Sequence, residues 1–336
     1  MVFLLKIKKL APKIIFILAA TILSLIIIFN WQKILESLEK AKWYYLPFAF
    51  IFSLLSYASS GYGFVLISRI FQIKERTKRL FEIGFVTAIF NNLLSLGGLT
   101  AFSTRIFLLN HHSEKKVPTK NILSTSLFHS YLYTLSVPAI LPFGFIYLLF
   151  HESLTKQEII TLGSALILSL SFFIVVSLII FHRGFRRKIL EIINLFWQYF
   201  FKSQLKSYFE NFDKTFHQGI IFFQNNPAFI LATLTTIVAD WIFALIALKL
   251  CFLALNLTTN ASVLLIGYLL SVMAGTLSMI PGGLGIQESS MSGIYAFFGL
   301  PLEITLIGSI LFRIIFYFAP TLISLVFYWR LLSRKN

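Results

Sequence analysis

Nine apolar segments divide this chain: Ile14–Phe29, Trp43–Phe71, Leu80–Leu109, Ile122–Phe150, Ile159–Phe181, Pro227–Leu255, Ala261–Met279, Ile286–Phe298 and Glu303–Trp329. A helix that crosses a bilayer needs roughly 20 such residues, and most of the segments supply them. The gaps between them are too short for a soluble domain. Charged residues make up 12% of the chain, half of the roughly 25% usual in soluble proteins, so the polar surface cannot clothe a globule. The expected fold is an all-α polytopic membrane protein, with residues 1–336 forming a single integral membrane domain.

The net charge of +16 does not point to nucleic acid, because the positive residues sit in short gaps between apolar runs. A single cysteine, Cys251, excludes an intrachain disulfide or a cysteine zinc cluster. No HExxH pair or phosphate-binding loop occurs, so neither metal nor cofactor is expected. The first segment follows Lys6, Lys8, Lys9 and Lys13 as a signal sequence would, but further spans follow it, and it reads as a retained first span. Residues 181–226 carry seven Lys and Arg among aliphatic and aromatic stripes, the pattern of a cytoplasmic interfacial linker.

Two segments are interrupted, Leu80–Leu109 by Gly97-Gly98 and the stretch 261–298 by Pro281-Gly282-Gly283. Counting loop charges decides how they cross, since cytoplasmic loops collect Lys and Arg. If each is a simple crossing, 12 loop positives fall inside and 13 outside; if both are hairpins, the split becomes 21 to 4. The expectation is therefore about six full spans plus two re-entrant helical hairpins, with both termini cytoplasmic in the cell (inner) membrane. The hairpins then enter from opposite sides, which is an inverted repeat. Residues 80–150 form its first unit and 261–329 its second. Recurrences at nearly constant offset support it: Gly97-Gly98-Leu99 with Gly282-Gly283-Leu284, Val117-Pro118 with Leu300-Pro301, and Leu127-Phe128-His129 with Leu311-Phe312-Arg313.

Glycine permits reversal at a tip without a Cβ clash. The return limbs, Leu99–Asn110 and Ile286–Phe298, reach about 18–20 Å at ~1.5 Å per residue, near the bilayer midplane. Their N-termini would there offer free N–H groups to an anion; the alternative is that the glycines only let helices pack closely. Ionisable residues in apolar segments sharpen the expectation: Arg105, His129, Asp240, Glu288 and Arg313. Each costs about 2.5–3.5 kcal/mol on insertion scales and faces a pathway or a partner. The structural alternative is pairing, Arg313 with Glu288 or Arg105 with Asp240, and for His129 a helix–helix hydrogen bond. Arg69 and Lys249 lie near span ends and are expected to snorkel.

The stretches PGGLGIQES at 281–289, FFGLP at 297–301 and LFRIIFYFAP at 311–320 resemble the lysylphosphatidylglycerol synthase transmembrane-region family, and GGLTAFSTRIFLL at 97–109 is similar to its first-half signature. The resemblance covers nearly the whole chain. It implies a helical bundle with re-entrant hairpins and a flippase that moves lipid between leaflets. It carries over Gly282, Gly283, Gly285, Glu288 and Arg313 from the second half, and Gly97, Gly98 and Arg105 from the first. Leu96 replaces the expected Pro, Phe102 and Ser103 stand where an acid is often found, and His129 replaces Arg. The soluble aminoacyl-transferase domain of bifunctional members is not expected here.

These readings converge on a transporter rather than an enzyme, with an anionic phospholipid or lipid-linked phosphate as partner. A homo-oligomer is compatible with them. The alternative is an intramembrane enzyme or accessory subunit acting on a lipid phosphate, with Glu288 or Asp240 as general base.

Overall fold

The computed structural model describes residues 31–94, 99–111, 116–151, 155–201, 206–278 and 280–333. The expected first span, Ile14–Phe29, and the first glycine pair, Gly97-Gly98, lie outside the described residues. In chain order the helices are α1 (Trp31–Glu39), α2 (Tyr45–Ile70), α3 (Thr77–Leu94), α4 (Leu99–Asn110), α5 (Thr119–His151), α6 (Lys156–Phe181), α7 (Arg183–Phe201), α8 (Lys206–Asn225), α9 (Pro227–Ala254), α10 (Ala261–Leu277), α11 (Ile286–Phe297), α12 (Leu302–Arg313) and α13 (Ala319–Ser333). A π-helical turn, Ile314–Phe318, joins the last two into one long rod. No strand occurs among the described residues. Five rods, α2, α5, α6, α9 and α12–α13, are long and apolar enough to cross a membrane. The protein is an all-α polytopic membrane protein.

The hydrophobic code is inverted outward. On α6, Ile160, Ile167, Leu168 and Ile174 are more than half exposed, and Leu162 and Ser169 are its buried residues. Such a face is stable against lipid or another apolar surface, not against water. Its start is fixed in water, where Thr155 Oγ1 accepts from Glu158 N and Glu158 Oε2 accepts from Thr155 N, a capping box.

At the centre α2 and α9 run antiparallel in the most extensive pairing of the fold. One end is tied by Lys42 N donating to the Ala254 carbonyl at 2.7 Å and Asn256 Nδ2 donating to the Lys40 carbonyl at 2.8 Å. The other end of α2 receives the start of α5, where Asn121 Nδ2 donates to the Phe71 carbonyl at 2.9 Å. Phe71 also stacks on Phe216 of α8. Against this pair lie two helical hairpins, α3/α4 and α10/α11. The α2–α3 crossing is close because Gly84 faces Gly61; a Cβ on Gly84 would stand 2.7 Å from the Gly61 carbonyl.

Side chains from its own base close the first hairpin. Arg79 Nη2, one turn into α3, donates to the Leu108 and His111 carbonyls at 3.2 and 2.7 Å, at the end of α4. These are among the terminal carbonyls that helix geometry leaves open. Beside it Glu82 accepts from Arg330 Nη1 at 2.9 Å, bringing the end of α13 to the same place. The residues gathered at this end of the molecule, 71–79, 116–121, the α8 segment and Arg330, include described parts of the positive loops singled out by the charge count.

Candidate functional site

The expected reversal at residues 281–285 is present and glycine makes it. Gly282, Gly283 and Gly285 have φ of 64°, 61° and 80°, a region that costs an L residue a Cβ clash. The turn packs against the far end of α3: a Cβ on Gly282 would lie 2.6 Å from the Leu93 carbonyl and 3.2 Å from that of Asn92. Asn92 Nδ2 in turn donates to the Tyr57 hydroxyl at 3.1 Å. The turn of the second hairpin therefore meets the inner end of the first.

Around this junction lies a fully partnered ionic cluster. Arg313 pairs through Nε with Glu288. Its Nη1 and Nη2 donate to the Gly282 carbonyl at 2.9 and 3.0 Å, and Nη2 also donates to Gln287 Oε1 at 3.0 Å. Glu288 Oε2 accepts from Gly285 N at 2.8 Å, so the N-terminus of α11 is capped by its own third residue. Gln287 Nε2 donates to the Tyr317 hydroxyl at 3.0 Å, and the Arg313 guanidinium stands 5.0 Å over the Tyr317 ring. Arg313 is the last residue before the π turn that carries Tyr317; such turns re-aim side chains within a helix. Glu288, Arg313 and Gln287 are buried, and with Met291, Ser309 and Phe312 they close on a crevice that has no room for a water molecule.

The first half holds a different arrangement at the matching place. Arg105, on α4, is 2% exposed. Its Nε donates to Thr87 Oγ1 at 3.2 Å, its Nη2 to His129 Nδ1 at 3.4 Å, and its guanidinium carbon lies 4.4 Å over the Phe64 ring. Nη1 has no hydrogen-bond partner, and among the described residues no carboxylate pairs with this arginine. His129 places Nε2 3.4 Å from the Ser60 carbonyl; with Nδ1 accepting from Arg105, the ring is neutral and carries its proton on Nε2.

The two halves share one more feature, which the sequence reading missed. His129 stacks on Tyr133 at 4.5 Å, as Arg313 does over Tyr317: a basic side chain and the tyrosine one turn on, at a common offset of 184 residues. The i,i+4 spacing was visible in the sequence. Of the two pairings offered there, Arg313–Glu288 is formed and Arg105–Asp240 is not. Asp240 instead accepts from the Ser56 hydroxyl. Arg69 turns back to the Ile73 and Glu75 carbonyls at 3.1 and 2.6 Å, fastening the end of α2.

A broken helix whose turn meets the inner end of a second helical hairpin inside a bundle of long apolar rods, with buried charges at the junction, defines a class of multi-pass membrane proteins built around an internal polar site. The family described as the lysylphosphatidylglycerol synthase TM region matches residues 14–324, and the chain belongs to that family. Two UPF0104 membrane proteins of Methanothermobacter thermautotrophicus are similar. One is 34% identical over 86 residues, 26% of this chain and 24% of that protein; the other is 33% identical over 88 residues, 26% of each. A third, from Methanocaldococcus jannaschii, is 25% identical over 125 residues, 34% of this chain and 37% of that protein. The chain thus matches a quarter to rather more than a third of the length of these relatives.

Proposed function

We propose that this protein moves a lipid with an anionic, phosphate-bearing head group between the leaflets of the cell membrane, and that it is a transporter rather than an enzyme. The observation that carries this reading is Arg105, a buried guanidinium with a free N–H and no carboxylate partner among the described residues. A cation held in this way within a span marks a pathway, and the planar donor fork fits phosphate oxygens. The acyl tails stay in the bilayer while the head group enters beside Arg105 and His129. At the second turn Glu288 holds Arg313 and caps α11, so this cluster acts as a latch that must open for the other leaflet to be reached.

The positive loops gathered at one end support cytoplasmic termini under the positive-inside rule. Added to the five described rods, the span expected from the sequence over 14–29 would give six crossings, with two hairpins that enter from opposite sides. The matched His129–Tyr133 and Arg313–Tyr317 stacks support an inverted repeat, with access alternating as one unit rocks on the other.

The test is leaflet exchange of head-group-labelled phosphatidylglycerol in proteoliposomes, read by quenching the outer label. Native protein accelerates exchange, and Arg105→Ala lowers the rate at least tenfold while the sample stays monodisperse. Exchange undiminished in Arg105→Ala and in the Arg105→Ala/Arg313→Ala double variant would overturn the assignment.

A further inference from the structure

Three helices present small polar residues to one another at one-face spacing, although they are apolar rods. On α2 these are Ser53, Ser56 and Ser60; on α9, Thr233, Thr236 and Asp240; on α5, His129, Tyr133 and Ser136. All are buried or half-buried. Because α2 and α9 are antiparallel and tightly paired, the first two rows face each other. The Ser56 hydroxyl bonds Asp240; Thr236 Oγ1 and the Tyr133 hydroxyl converge on the space beside Gly63. Ser136 accepts from Trp241 Nε1 at 2.6 Å, and the Ser60 carbonyl faces His129. A polar seam therefore runs from Asp240 to Arg105 through the middle of the bundle.

Asp240 is the acid of this seam, and no cation pairs with it among the described residues. It lies on the inward face of α9, in register with Thr233, Thr236, Ala244 and Ala247, opposite the lipid-facing Leu234, Val238 and Ile242. The groups within electrostatic reach are Tyr57 on α2, Tyr133 on α5, Tyr268 on α10 and Tyr317 on the π turn. Tyr133 is also within electrostatic reach of Arg105, and Tyr57 of Arg313. The charged residues and the histidine of α8, Lys206, Glu210, Asp213, Lys214 and His217, precede the start of α9, which is about 20 Å from Asp240 along that helix.

We infer that Asp240 is a proton-binding site, and that the protein carries a proton with each anionic head group. The inference rests on the lipid-transport reading above. An ionised carboxylate in a span whose one hydrogen-bond partner among the described residues is a neutral hydroxyl is costly, and intramembrane acids in this position serve as proton relays. A phosphate that enters beside Arg105 brings a second negative charge into the same seam, with Tyr133 between the two. In a medium of low dielectric, like charges at that range repel strongly. Asp240 accordingly takes up a proton as the head group binds and releases it as the head group leaves. The carboxylate and one proton give the neutral acid, and no other reactant is needed.

Two measurements test it. In proteoliposomes with a pH gradient and the membrane potential clamped at zero, labelled phosphatidylglycerol should accumulate in the leaflet facing the alkaline side. One proton per lipid gives up to tenfold asymmetry per pH unit. In Asp240→Asn the asymmetry vanishes, and Asp240→Glu, which keeps the acid, retains it. Separately, infrared difference spectra between pH 5 and 9 should show a protonated carboxyl stretch that Asp240→Asn removes, that shifts in Asp240→Glu, and that Glu288→Gln leaves in place. Lipid exchange with no gradient-driven asymmetry, or a native spectrum without the band, overturns the proton site while leaving lipid movement standing. A titrating Asp240 band with no lipid exchange supports proton binding and defeats the transport reading.

Discussion

The two hairpins present the same scaffold with opposite electrostatic solutions. In the second, the cation stands on the long rod (Arg313), the anion on the return limb (Glu288), and every arm of the guanidinium is occupied. In the first, the cation stands on the return limb (Arg105), the rod offers a neutral histidine, and one guanidinium nitrogen is left over. A buried ion pair that is fully partnered is self-sufficient, whereas a buried unpaired charge awaits a ligand. On the proposed transport reading the halves have different tasks: the second holds its turn against the inner end of α3, and the first receives the substrate.

If that division holds, removing the anion of the second half should carry the largest stability penalty. Glu288→Ala leaves Arg313 charged, buried and uncompensated, a loss of about 3–5 kcal/mol. It should show as the largest fall in melting temperature of the series, in detergent. Glu288→Ala/Arg313→Met, which removes both charges, should recover most of it. An Arg313 that tolerates the loss of Glu288 would break the comparison, because both sites would then be open.

The turn itself comes next. Gly282→Ala puts a Cβ 2.6 Å from the Leu93 carbonyl at a φ of 64°, with an expected cost of about 2–3 kcal/mol. Gly293, within α11, has nothing within 4 Å of a built Cβ, so Gly293→Ala should not lower the melting temperature and should raise it slightly, Ala being favoured over Gly in a helix interior. Equal effects at the two positions would show that the turn does not pack against the first hairpin as described.

A third ionic cluster, outside the spans, calibrates both. Asp213 on α8 is buried and accepts from Arg186 Nε at 2.7 Å, Arg187 Nε at 3.1 Å and Arg183 Nε at 3.2 Å. Burial pushes its carboxyl up, but the hydrogen bonds from Arg186 and Arg183, the charge of Arg186 and the bond from Arg187 outweigh it and hold the group below its ordinary value. A depressed carboxyl stabilises the fold fully above its unfolded value of about 3.9. That stability is lost as pH falls through the lower folded value. Asp213→Asn should cost about 1–3 kcal/mol at neutral pH, towards the low end because Arg183 and Arg187 are partly in water. It should also flatten the acid limb of a stability–pH curve; an unchanged limb would show that these arginines do not hold Asp213 ionised.

The architecture was legible because its causes are local. Apolar length set the rods, and both return limbs were placed within a residue of α4 and α11, since glycine runs and the next charged gap bound them. Arg313–Glu288 was readable as a pair because a turn and one following span bring them together. The seam was not read, although Ser53/Ser56/Ser60 and Thr233/Thr236/Asp240 share the same spacing. Serine and threonine are common in spans, and only the antiparallel α2–α9 pairing sets one row against the other. The same pairing gives Asp240 a serine where the sequence reading offered Arg105 as an alternative.

The smallest stability effect belongs to the residue with the largest functional one. Arg105→Met keeps most of the side-chain volume over Phe64 and removes a buried charge that no carboxylate among the described residues neutralises. Replacing such a charge by an apolar residue is often neutral or stabilising; here that is set against the acceptor that His129 Nδ1 leaves without a donor, a cost of about 1–3 kcal/mol, and the net change should stay within about 1 kcal/mol. Arg313→Met, the same substitution in the other half, abandons Glu288 and should melt markedly lower. Lipid exchange should invert that order: lost at least tenfold in Arg105→Met at unchanged melting temperature, the pattern of a group kept for function at some cost to stability. A melting temperature that falls as far in Arg105→Met as in Arg313→Met would mean that the first half is latched like the second, and the phosphate seat would have to be sought elsewhere along the seam.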